Sequence, residues 1–284
     1  MAAAALGVAL GVTLGLAAAA RCFRPRPQGA WRLPFRARVV AHRGGAGERI
    51  ENTMEAFENA VIDGSDLLEL DCRRSRDGVA VVSHDRDLLR QTGHALSLSD
   101  TDFRDLPPYK SPLEVTFSPG CFAHGADRRF ARLEDVFRRF PRQPISVEIK
   151  DDDDELIAEV AALVRRYDRA SITLWASFRE PILRKCRAAH PAMPYSFSLR
   201  RGLLLLLLYY TGLLPFVPLG ESVLLFLLPS IINRTYFPVP KGWAGHLLSK
   251  VVETVALRPP LLRHLRAHGI QVSPAPPDPQ VTPK

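Results

Sequence analysis

The sequence predicts an α/β protein whose parallel strands form a barrel, and three observations carry that expectation. The chain has 284 residues, a length that one α/β barrel fills as a single domain. Short β-rich runs alternate with helical stretches, as a parallel sheet with crossover helices requires. Histidines and carboxylates cluster at the ends of several of those runs, where barrel strands present their functional groups. Hydrophobic residues make up 46% of the chain and charged residues 24%, a balance that allows a large core and excludes global disorder.

Strands are expected at 38–42, 66–72, 79–84, 145–150, 171–176, 194–199 and 270–272. Helices are expected at 53–62, 133–140, 154–167, 179–189 and 261–268. Eight strands close such a barrel. The seventh here is short, so the barrel is expected to be incomplete at strands 7 and 8. The last residues, 273–284, hold prolines at 274, 276, 277, 279 and 283, and are expected to form a disordered tail that no strand or helix crosses.

Residues 2–20 are uncharged, about the length that a helix needs to cross the ~30 Å hydrocarbon core, so 1–21 reads as a membrane anchor. A cleaved signal peptide is the alternative. The missing basic segment before the run, and Arg21, Arg24 and Arg26 after it, favour the anchor. A second apolar block, 202–232, is interrupted by Pro215, Pro218, Glu221 and Pro229. Prolines break helical hydrogen bonding, so this block reads as a membrane-associated insertion or an apolar lip for a lipid chain, with a buried hairpin as the alternative. The barrel is expected to occupy 38–272.

The formal charge of +8 suits anionic phosphates or a membrane surface. No stripe of interleaved aromatic and basic residues is present, so a nucleic-acid partner is not expected. Cys22, Cys72, Cys121 and Cys186 are widely spaced, which points to reduced thiols rather than a zinc site or disulfide framework. Asn233-Arg234-Thr235 fits a glycosylation sequon.

In Leu67-Leu68-Glu69-Leu70-Asp71-Cys72 the two carboxylates are two residues apart, so in a strand they share one face while Leu68 and Leu70 take the other. Glu148 and Lys150 repeat that spacing on another strand. Three inward carboxylates make an oxygen-rich site for one divalent cation, Ca²⁺ or Mg²⁺. His42 and His84 each end an apolar run, a placement suited to a general acid and a general base. Arg43 and Lys150 can hold a phosphate. The acidic run 151–155 reads instead as a solvated loop and helix start.

His42-Arg43-Gly44, Glu51-Asn52-Thr53, Glu69-Leu70-Asp71, Asp77-Gly78, Val81-Val82-Ser83-His84-Asp85 and Glu148-Ile149-Lys150 together resemble the glycerophosphodiester phosphodiesterase family over roughly 38–272. The N-terminal apolar run, Leu106-Pro107-Pro108-Tyr109 and the segment from Thr211 to Pro218 are similar to its membrane-bound mammalian lysophospholipase D branch. The resemblance implies a (β/α)₈ barrel, His42 and His84 as acid/base pair, Glu69, Asp71 and Glu148 as metal ligands, and Arg43 and Lys150 as phosphate contacts. It also implies a lysophospholipid substrate, such as lysophosphatidylcholine or lysophosphatidylethanolamine, and the endoplasmic reticulum membrane. Two other readings stay open: a phosphodiesterase for water-soluble deacylated diesters, and an inactive, truncated membrane-bound lipid-binding or interaction protein.

Overall fold

The structure, a computed structural model, describes residues 33–226 and 243–274. The expected anchor at 1–21, the sequon at Asn233 and the tail beyond Pro274 lie outside the described residues. Among the described residues, no helix is long and apolar enough to cross a membrane.

Strand β1 (Val40–Ala41) pairs in parallel with β2 (Leu67–Arg74), Val40 opposite Leu67. The crossover helix α1 (Met54–Ile62) starts at Thr53, whose side chain accepts the Ala56 backbone N–H. β2 is long enough to pass the barrel rim, and there β3 (Ala80–Val82) returns along it antiparallel, with Cys72 opposite Val82. An excursion follows. It comprises α2 (Leu89–Thr92), the hairpin of β4 (Leu113–Glu114) and β5 (Phe122–Ala123), and β6 (Ala131–Arg132), which pairs with β3. Helix α3 (Leu133–Arg139) then leads to β7 (Ile145–Ile149), parallel to β2.

Regular β/α units resume with α4 (Asp154–Arg166), β8 (Thr173–Ala176) and α5 (Glu180–Ala189). The fifth stave is reduced to two parallel bridges, Trp175 to Tyr195 and Ser196 to Val223. Helix α6 (Leu199–Tyr210), β9 (Val223–Phe226), α7 (Trp243–Ala256), α8 (Pro259–Ala267) and β10 (Gln271–Pro274) complete the described chain.

The strand alternation expected from sequence sorts the core. Leu68, Leu70, Cys72, Ile145, Val147, Ile149 and Trp175 are buried in one cluster with Ile157, Val160 and Ile182 of the outer helices. Each such aliphatic side chain contributes roughly 1.5–3 kcal/mol when fully buried. A second cluster, Ala37, Val40, Leu67, Leu174 and Val223, draws on four staves and the segment before β1.

Four expectations need correction. The run 79–84 is not a parallel barrel strand, because the turn at Asp77-Gly78, with Gly78 at φ +85°, folds it back on β2. The run 194–199 is cut short because Ser198 caps α6, its side chain accepting from the Arg201 backbone N–H. The described part of the apolar block, 202–226, is not free of barrel elements. It holds most of a 12-residue helix and, beyond Pro215 and Pro218, the stave β9. Finally, Ser273 and Pro274 extend the last strand against Leu225 and Phe226. Proline fits there because, among the described residues, β10 pairs with β9 alone.

Among the described residues no eighth strand lies between β10 and β1, and the sheet is not closed. The Gln271 side chain spans toward the segment before β1: its Nε2 donates to the Phe35 carbonyl at 2.5 Å, and its Oε1 accepts from the Ala37 N–H at 2.7 Å.

Candidate active site

Register brings the carboxylates together. Asp71 lies opposite Glu148 across the β2–β7 pair, and Glu69 is one inward position earlier on β2. Carboxylate oxygens of Glu69, Asp71 and Glu148 all lie within 4.8 Å of one another. Burial, then the nearby charges of Asp71 and Glu148, pushes the Glu69 carboxyl up to about 8. Asp71 is opposed by burial too, but Lys150, His84 and Arg43 hold it well below the usual carboxylate range. Lys150 places its ammonium 2.8 Å from Asp71 Oδ1 and 3.0 Å from Glu148 Oε1. Its own loss of a proton is made harder by those two acids, which outweigh burial.

A largely buried, all-oxygen group of three mutually repelling acids is the donor chemistry that a hard divalent cation needs, so the residues fit such an ion. Glu69, Asp71 and Glu148 would hold it.

His42 follows β1 and begins a 3-10 turn, His42–Gly44. Arg43 within it takes a left-handed backbone, φ 50° and ψ 35°, and Asn52 another at φ 59°. Such conformations persist only where surroundings over-determine them. Here Arg43 N–H donates to Glu69 Oε2 at 2.8 Å, Asn52 N–H donates to the Arg43 carbonyl at 2.9 Å, and Asn52 Nδ2 donates to Asp71 Oδ2 at 3.0 Å. Gly44, at φ +75°, has no room for a Cβ, which would sit 2.7 Å from a Phe57 ring carbon. The His42 ring packs on Phe117 at 4.9 Å between centroids, and its Nε2 lies 3.9 Å from Glu69 Oε2. Burial, followed by Arg43, lowers His42 to about 3, so it is neutral at physiological pH.

His84 reaches the same rim by the β3 return: Ser83 N–H donates to the Asp71 carbonyl at 3.0 Å, placing the next residue level with the acids. Its Nδ1 is 2.6 Å from Asp85 Oδ1, which leaves Nε2 for proton exchange. All seven residues singled out from sequence therefore meet on one face of β1, β2, β3 and β7. Arg43 is more encumbered than expected. Its guanidinium donates to Glu51 Oε2 and Thr116 Oγ1, both at 3.1 Å, and lies 3.6 Å from Asp71.

Sequence reasoning quoted Glu51, Asn52 and Asp85 in motifs without assigning them contacts, and it missed Arg90, Thr116 and Phe117 altogether. Asp85 could have been found from its place directly after His84. No local signal marks Arg90 or the 116–117 loop, which meet the site only through the excursion between β3 and β7.

A parallel barrel sheet, unclosed among the described residues, that carries two histidines and an acid triad at the C-terminal ends of its strands defines a phosphodiesterase of the glycerophosphodiester type. The chain belongs to the glycerophosphoryl diester phosphodiesterase family, whose model matches residues 42–274. It is similar to human lysophospholipase D GDPD3, with 56% identity over 238 residues, covering 84% of this chain and 75% of that protein. Human lysophospholipase D GDPD1 is 42% identical over the same length, 76% of its own chain. The crystal structure of glycerophosphodiester phosphodiesterase from Agrobacterium tumefaciens shares the fold at a TM-score of 0.56 and 22% identity, over 84% of this chain and 86% of that one.

Proposed function

We propose that this chain is a metal-dependent lysophospholipase D that hydrolyses the head-group phosphodiester of lysophosphatidylcholine or lysophosphatidylethanolamine, giving lysophosphatidic acid and the free alcohol. The observation that carries this reading is the acid triad flanked by His42 and His84, in a chain that is 56% identical to a protein named for that activity. The ion is Ca²⁺ or Mg²⁺, and when bound it supplies positive charge to the phosphate oxygens.

His42, neutral at physiological pH, takes the proton from the attacking hydroxyl. The attacking group is the substrate's own free glycerol hydroxyl. As its oxygen bonds to phosphorus, the bond from phosphorus to the choline oxygen breaks, and His84 Nε2 delivers a proton to that oxygen. Water then opens the cyclic phosphate with the two histidines exchanging roles. Asp85 holds the His84 ring through Nδ1. Arg43 and Lys150 line the phosphate position as cations, and Phe117 packs on the His42 ring.

The substrate is a membrane lipid, for which we propose the endoplasmic reticulum membrane as the source, and the exposed apolar surface supports delivery from a membrane. On α6, Leu199, Leu203, Leu207 and Tyr210 are exposed at helical spacing. Trp243, Leu247 and Val251 repeat the pattern on α7, where Trp243 is 80% exposed. Tyr210 Oη donates to the Val255 carbonyl at 2.9 Å, joining the two helices.

The test is choline release by the purified chain from lysophosphatidylcholine and, separately, from glycerophosphocholine, with Mg²⁺ or Ca²⁺ and a His42→Ala control. Faster turnover of the lysolipid supports the proposal. Release only from glycerophosphocholine assigns the chain to water-soluble diesters, and release unchanged in His42→Ala removes the site assignment.

A further inference from the structure

We propose that Arg90 is a positioning residue that ties the His84 side of the site to the Arg43 side. This inference rests on the site reading above and adds a residue that the sequence does not mark.

Arg90 lies in α2, just past the return strand that brings in His84. Its Nε donates to Asp85 Oδ2 at 2.5 Å, and its Nη2 donates to Glu51 Oε1. Each of those carboxylates uses its other oxygen on the site itself: Asp85 Oδ1 meets His84 Nδ1 at 2.6 Å, and Glu51 Oε2 accepts from Arg43 Nη1 at 3.1 Å. Arg43 in turn donates its backbone N–H to Glu69. The run from His84 through Asp85, Arg90 and Glu51 to Arg43 is thus unbroken, and acids alternate with bases along it. Glu51 is buried, and Arg43 and Arg90 hold its carboxyl below the usual range although burial opposes this. Asp85 is likewise depressed, by His84 and Arg90 against burial.

The guanidinium shape is what the position needs. A planar fork can satisfy two carboxylates pointing at it from different directions, whereas a lysine ammonium is a point charge. Arg90 makes no contact with the acid triad in the structure's hydrogen bonds, so its effect passes through the orientation of the His84 ring and of the Arg43 guanidinium. Partners of this kind typically change activity by about 10–100-fold when removed.

The experiment compares wild type with Arg90→Gln, Arg90→Lys, Asp85→Asn and the Arg90→Gln/Asp85→Asn double variant. Steady-state kinetics on lysophosphatidylcholine with Mg²⁺ are combined with imidazole ¹⁵N shifts of His84, assigned with His84→Gln. Arg90→Gln is expected to lower kcat by about 10–100-fold with KM within about threefold. Arg90→Lys recovers part of the loss, and the double variant is no slower than the worse single variant because both cut one run. The two His84 nitrogen shifts are expected to move in Arg90→Gln, because Asp85 no longer holds the ring in place through Nδ1. Normal kcat in folded Arg90→Gln, multiplicative losses in the double variant, or unmoved His84 shifts would overturn the assignment. If wild type releases no choline, the proposed reaction fails, and the His84 shifts alone still decide whether Arg90 positions the ring.

Discussion

The ammonium of Lys150 lies 2.8 Å from Asp71 Oδ1, inside the same acid group that is suited to a divalent cation. One residue thus neutralises part of the acid charge, and under the proposed function it also stands beside the phosphate. Lys150→Met keeps the stem and removes the charge. It is expected to lower kcat/KM for lysophosphatidylcholine by about 100-fold, on the scale of a lost charge-assisted hydrogen bond in a closed site. It should also enlarge the rise in thermal midpoint that added Mg²⁺ produces, which differential scanning fluorimetry reads directly.

Glu69 is expected to set the pH dependence of cation binding. With its carboxyl pushed up to about 8 by burial, Asp71 and Glu148, the cation-free folded chain carries a proton there between the ordinary value of 4.5 and 8. A raised carboxylate binds more protons folded than unfolded, so this group subtracts stability as pH climbs through that window. A cation must displace the proton. Affinity for Mg²⁺ or Ca²⁺ is expected to rise about tenfold per pH unit up to 8, with close to one proton released at pH 7. Isothermal titration calorimetry in two buffers of different ionisation enthalpy measures that proton, and equal heats would contradict it.

Glu51 gives the opposite sign. Its carboxyl lies below the ordinary value of 4.5 because Arg43 and Arg90 outweigh burial, so its stabilisation is complete above 4.5 and is lost as pH falls toward the folded value. Glu51→Gln is expected to flatten the acid limb of the stability curve, followed by circular dichroism in urea between pH 3 and 6.

Gly44 is held at φ +75° with a Phe57 ring carbon 2.7 Å from where a Cβ would be. Gly44→Ala combines backbone strain with a clash and is expected to destabilise the protein by about 1–3 kcal/mol. It should also lower activity more than stability alone explains, because the adjacent Arg43 N–H is aimed at Glu69. Urea melts beside kcat measurements separate the two effects.

Gln271 makes two hydrogen bonds to the segment before β1, at 2.5 and 2.7 Å. Gln271→Ala is expected to lower stability by roughly 1–3 kcal/mol, since it strips partners from two main-chain groups. Thermal unfolding tests this, and an unchanged midpoint would show that the contact adds nothing.

Much of the site was legible in the sequence because strand alternation acts on neighbouring residues. Glu69 and Asp71 share a face whatever the rest of the chain does, and Glu148 and Lys150 repeat the pattern on β7. His84 follows an apolar run, as read from the sequence, yet the run itself is antiparallel, a property set by the Asp77-Gly78 turn rather than by the apolar pattern. The stave β9 was hidden because leucines of a helix, a loop and a strand follow one another without a polar break. Arg90 stayed invisible because its partner Glu51 is 39 residues away. Charge pairing at that range leaves no periodic trace.

The two-residue pairing of β1 has a dynamic consequence. His42 and Arg43 ride on the stave beside the open seam, whereas Glu69, Asp71 and Glu148 ride on β2 and β7, which pair over five residues each. Opening motions should therefore spread from the seam, and amide protons of Val40 and Ala41 should exchange with solvent faster than those of Leu70 or Val147. Glu69, Asp71 and Glu148 would then sit on the quieter half of the barrel, and His42 on the half that opens first.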